Sequence, residues 1–96
     1  MSKWRALTQS EIDERISDLP GWTADEGRLR RAFKFSNFVE AFGFMTKVAM
    51  LAEGLDHHPE WSNVYNRVNI ELTTHEADNA ISALDFKLAA QINGLL

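Results

Sequence analysis

The segment Glu60-Trp61-Ser62-Asn63-Val64-Tyr65-Asn66-Arg67-Val68-Asn69-Ile70-Glu71-Leu72-Thr73-Thr74 is dense in β-branched and aromatic residues. These residue types fit a pleated, half-buried surface. One strand of that length would far exceed the usual size of about five to six residues. The segment is therefore read as a hairpin broken at Asn66-Arg67, giving a third and a fourth strand. Upstream, Leu55-Asp56-His57-His58-Pro59 cannot continue a helix, because Pro59 disfavours helical dihedrals at His58.

Further toward the N-terminus, Phe38, Phe42, Met45, Ala49 and Ala52 recur at helical spacing, with Ala41, Val48 and Leu51 widening the stripe. Ser36 or Asn37 can cap this second helix, and Gly54 can stop it. Before it, Trp22 to Ala24 reads as a short strand and Asp25-Glu26-Gly27 as a turn in which Gly27 can take positive φ. Leu29 to Phe35 then alternates, with Leu29, Arg31, Phe33 and Phe35 on one face. Thr8-Gln9-Ser10-Glu11 has the form of a capping box opening a first helix, with Ile12, Ile16 and Leu19 turned inward and Pro20-Gly21 ending it. Downstream of the hairpin, Ser82-Ala83-Leu84-Asp85 is a second capping box, and Leu84, Leu88, Ile92 and Leu95 form the inward stripe of a last helix. The order α-β-β-α-β-β-α predicts an α+β fold: a four-stranded antiparallel sheet with three helices on one face. The other face would be open, with Trp61, Val64 and Tyr65 as candidates to line it or to meet another subunit.

The chain has 96 residues, enough for a single domain over 1–96. Hydrophobic residues make up 45% and charged residues 25%, as in globular rather than disordered chains. Lys and Arg number 10 against 14 Asp and Glu, which gives no basic face for nucleic acid. There is no apolar run of membrane-spanning length, and Met1-Ser2-Lys3-Trp4-Arg5 is not followed by a signal-peptide core. The absence of cysteine removes disulfides and thiolate chemistry, and fits a reducing, cytoplasmic setting. No Gly-rich phosphate loop or nucleophile elbow occurs.

Chemistry concentrates in the histidines. His57 and His58 stand just before the third strand and His75 just after the fourth. A hairpin turning near Asn66 brings the start of one strand beside the end of the next, so the three imidazoles should converge, with Glu53, Asp56 and Glu76 close in sequence. Histidine titrates near neutral pH and can both give and take protons within one turnover. Any one of them alone would more often be a solvated loop residue; it is the convergence that points to a site. Three His with a carboxylate also resembles hydrolytic zinc ligation. Neighbouring His57 and His58 do not, however, project together from one regular element, and there is no His-Glu-x-x-His helix.

The series Glu53, His57-His58-Pro59, Tyr65, His75, Asp85 resembles the signature of the pterin-4a-carbinolamine dehydratase family. Leu19-Pro20-Gly21-Trp22, Leu55 to Asn66 and Thr73-Thr74-His75-Glu76 extend the resemblance over nearly the whole chain. It implies the α-β-β-α-β-β-α fold. It also implies dehydration of 4a-hydroxytetrahydropterin to quinonoid dihydropterin, which recycles the pterin of aromatic amino acid hydroxylation, with no metal and no organic cofactor. Carried over, His57, His58 and His75 are the catalytic residues. Glu53, Asp56, Trp22, Thr73, Thr74 and Asp85 are the substrate-binding ones. His57 is favoured as the acid and His75 as the base, with His58 able to stand in for either. The partners implied are the small pterin substrate and further copies of the chain, as a homodimer or homotetramer. The runner-up reading is an oligomeric protein-binding or coactivator module.

Overall fold

The computed structural model describes residues 4–96; the reading of Met1 to Lys3 lies outside them. Helix α1 (Gln9–Ile16) is followed by β1 (Thr23–Asp25), β2 (Arg28–Lys34), α2 (Phe38–Gly54), β3 (Glu60–Val64), β4 (Arg67–Leu72) and α3 (Ala83–Asn93), with a 3-10 turn at His75–Ala77 before α3. The strands form one antiparallel sheet in the order β1-β2-β4-β3. This is the expected α+β architecture.

Both capping boxes form. Thr8 Oγ1 accepts from the Glu11 amide while the Glu11 carboxylate accepts from the Thr8 amide, and Ser82 and Asp85 do the same for α3. Asn37, rather than Ser36, caps α2 by accepting from the Glu40 amide. The first hairpin turns at Glu26 and Gly27, both at positive φ (53° and 75°), the pairing of signs a two-residue primed turn requires. The second turns at Tyr65 and Asn66, one residue earlier than the expected break, so that Val64 opposes Arg67. Asn63 fixes it by donating to the Tyr65 and Arg67 carbonyls. β1 also begins one residue later than expected, because Trp22 turns into the core.

Leu29 and Phe33 of β2 and Val68, Ile70 and Leu72 of β4 present one buried face to the helices. Leu88, Ala89 and Ile92 of α3 close over it, with Ile12 and Leu19 at the periphery. The buried stripe of α2 is Ala41, Phe44, Val48 and Ala52. This differs from the expected stripe: Phe38, Phe42 and Ala49 are exposed. Small Ala side chains let the helix approach the sheet, whereas the larger Phe38 and Phe42 pack on each other, ring centroids 5.8 Å apart, on the outside.

Gly54 is the last residue of α2, as expected, but it is not the left-handed residue that turns the chain away. That residue is Asp56, in the left-handed region at φ 50°, where the Asp56 amide donates to the Glu53 carbonyl and the His57 amide to that of Ala52. These are the two bonds of a Schellman motif. The far face of the sheet carries paired charges: Arg28 with Glu60 and Glu71, and Arg30 with Glu26 and Glu71. Val64 is exposed there and Tyr65 at the turn, but Trp61 is directly opposite Ile70 and half-buried on the helix side.

Candidate active site

The chain leaves α2 through the Schellman motif and passes His57, His58 and Pro59 before β3 starts at Glu60. The neighbouring strand β4 ends at Leu72, Thr73 and Thr74 follow it, and His75 opens the 3-10 turn. A bridge between Thr74 and Ala80 folds that turn back. The outcome is a cavity of about 260 Å³ lined by Asp56, His57, His58, Thr73, Thr74, His75, Glu76 and Leu84. The three histidines therefore meet at one place, as the hairpin argument expects.

Their environments differ. His57 is buried, and its Nε2 lies 2.5 Å from Oδ1 of Asp85. Asp85 is fully buried; its Oδ2 accepts from the Thr74 hydroxyl at 2.8 Å and from the Ser82 amide at 2.9 Å. It stands in the first turn of α3, where the unpaired amides favour negative charge. A buried carboxylate that receives two donors on one oxygen is suited to accept from His57 on the other. Asp85 thus fixes the imidazole and supplies the counter-charge that an imidazolium there requires.

His58 is exposed, with Nε2 at 2.8 Å from Oε1 of a still more open Glu53. Such a pair orients a ring but adds little to stability. His75 is exposed too, its Nδ1 lying 3.3 Å from the side-chain oxygen of Asn79. That oxygen can only accept, so Nδ1 donates and Nε2 of a neutral His75 keeps its lone pair. Among the described residues, no group of three or more His, Asp or Glu side chains is placed to hold a metal ion.

Of the residues singled out in the sequence, Asp56, Thr73 and Thr74 line the cavity, Glu53 holds His58, and Asp85 lies buried behind His57 and Thr74. Trp22 is not part of this cavity. It lies in the core, edge-on to Phe33, and its indole N–H donates to Asn93. Two residues read in the sequence only as helix cap and helix stripe also belong to the site. Leu84 forms one wall, and the hydroxyl of Ser82 lies 2.5 Å from that of Thr74. The capping box at Ser82 to Asp85 was the available signal, since it fixes a carboxylate at the start of a helix.

The fold and this cavity define a small α+β protein with a histidine–carboxylate site at the open end of a hairpin. The family profile described as pterin 4 alpha carbinolamine dehydratase matches residues 5–95, and the chain belongs to that family. A Prochlorococcus marinus (strain MIT 9303) protein is 59% identical over 91% of this chain and 90% of its own length. One from Solibacter usitatus (strain Ellin6076) is 51% identical over 93% of each. Both are provisionally named pterin-4-alpha-carbinolamine dehydratases. A crystal structure from Brucella melitensis, described as a transcriptional coactivator/pterin dehydratase, superposes with a TM-score of 0.88. It is 45% identical over 95% of this chain and 98% of its own.

Proposed function

We propose that this protein is a hydro-lyase that dehydrates 4a-hydroxytetrahydropterin to quinonoid dihydropterin by histidine acid–base catalysis. The observation that carries the reading is the convergence of His57, His58 and His75 on one cavity with Asp85 beneath. The C4a–O bond breaks as an imidazolium protonates the leaving oxygen, releasing water. The N5–H bond breaks as a neutral imidazole takes its proton, and that electron pair forms the C4a=N5 double bond. His57 suits the acid because Asp85 balances its charge, and His75 suits the base because Asn79 occupies its other nitrogen. Solvent exchange then restores both protonation states. His58 is open to solvent and can relay protons to either.

No resident cofactor takes part in this scheme, and chelation should leave activity unchanged. Loss of activity with removal of a tightly held zinc would favour a hydrolase instead. The protein is proposed to act as a single domain over residues 1–96 in the cytoplasm, as a homodimer or homotetramer, recycling the pterin of aromatic amino acid hydroxylation. An absorbance assay of 4a-hydroxytetrahydropterin breakdown tests the chemistry. His57→Ala and His75→Ala should each lower the rate at least about tenfold with the fold intact. Near-wild-type turnover in the double variant would sink the mechanism.

A second reading has its own observation. Phe38, Val39, Phe42 and Met50 leave an apolar face on α2 that a partner protein could cover, and the Brucella melitensis relative is described as a coactivator. On that reading the histidines are dispensable to binding.

A further inference from the structure

Thr74 and Ser82 are almost wholly buried, at 2% and 0% exposure, so neither hydroxyl is available to a substrate. The Thr74 hydroxyl is nevertheless two hydrogen bonds from His57, through Asp85, and the Ser82 hydroxyl three. The direction of each bond follows from counting hydrogens. Asp85 as a carboxylate cannot donate, so the single hydrogen of the Thr74 hydroxyl goes to Asp85 Oδ2. Thr74 has then none left for Ser82, and at 2.5 Å the Ser82 hydroxyl must be the donor. Ser82 Oγ in turn accepts from the Leu84 amide. With Oδ2 taking both the Thr74 hydroxyl and the Ser82 amide, Oδ1 is the oxygen left to His57 Nε2.

We propose that Thr74 and Ser82 are positioning residues: their ordered hydroxyl chain holds Asp85 as an acceptor. This places the proton of neutral His57 on Nε2 and leaves Nδ1 as the nitrogen that meets the substrate. The catalytic half of this inference rests on the dehydratase reading; the tautomer half does not. Thr74 thereby moves from the substrate-binding group, where the sequence put it, to a role exerted through Asp85 and His57.

The test uses the full-length chain labelled with ¹⁵N at histidine. Two-bond ¹H–¹⁵N correlations distinguish which ring nitrogen of His57 bears the proton at a pH where the ring is neutral. The wild type should show Nε2–H. Thr74→Val, similar in shape but without the donor, should show mixed tautomers and a kcat lowered by about tenfold with KM little changed. Thr74→Ser should restore both. Should Thr74→Val fail to fold, Ser82→Gly takes its place, because glycine is tolerated at a helix N-cap. The same shift in tautomer with a smaller fall in kcat is then expected. A wild-type ring bearing its proton on Nδ1, or a folded variant in which either readout stays at the wild-type value, overturns the proposal. A wild type without dehydratase activity would refute the assigned reaction, and the ring pattern would still decide the hydroxyl chain.

Discussion

Asp56 shows how one residue can serve backbone and site together. Its φ of 50° lies in the left-handed region, which costs an ordinary residue about 1–2 kcal/mol and which Asp tolerates better than most. The reward is the Schellman motif that aims His57 into the cavity. Asp56→Gly should therefore fold with a stability within about 1 kcal/mol of wild type, since relief of strain offsets the added freedom of the unfolded chain. Asp56→Val should lose about 1–3 kcal/mol, because a β-branched residue at this φ is a true outlier. Urea unfolding of both variants checks this. A Val variant as stable as the Gly variant would show that the strain is illusory. Because Asp56→Gly keeps the left-handed turn while removing the side chain, a fall in its kcat/KM measures what that side chain does for the substrate.

Among the elements, α1 makes a pH-dependent prediction. The Arg5 guanidinium, with help from the Thr8 amide, holds the Glu11 carboxyl down from 4.5 to about 2. Folding therefore favours the ionised form. The stabilisation is complete above about pH 4.5 and disappears as pH falls through about 2. Glu11→Gln keeps the capping box but not the ion pair. The gap in urea midpoint between wild type and variant should be small, as both groups face solvent, and should close between those two pH values. A gap constant across that range would refute it. The capping boxes were legible because their residues are close in sequence. The buried stripe of α2 was not. That helix is apolar nearly all round, so periodicity offers several faces, and only the close approach of the sheet selects Ala41 and Ala52 over Phe38 and Phe42. The pairing of His57 with Asp85 spans 28 residues, and no local pattern encodes it. The meeting of His57 and His75 was legible, because a hairpin alone fixes it.

For the whole molecule, the decisive quantity is apolar surface. In the isolated chain Phe42 is 56% and Met50 68% exposed on α2, beside Phe38 and Val39. A domain of this size has little stability in reserve. We expect sedimentation equilibrium at low micromolar concentration to show a dimer or tetramer, and Phe42→Glu to shift it toward smaller species. A folded, active monomer would refute this. The capping box of α3 carries a last consequence. Ser82 and Asp85 start the helix, and the same side chains hydrogen-bond the Thr74 and His57 that line the cavity, so the reactive centre cannot exist before α3 has docked. Catalytic competence should then be all-or-none: the denaturant midpoint for lost turnover should coincide with that for exposure of the buried Trp22 indole. Turnover fading first would mean that this end of the molecule frays as a separate cooperative unit.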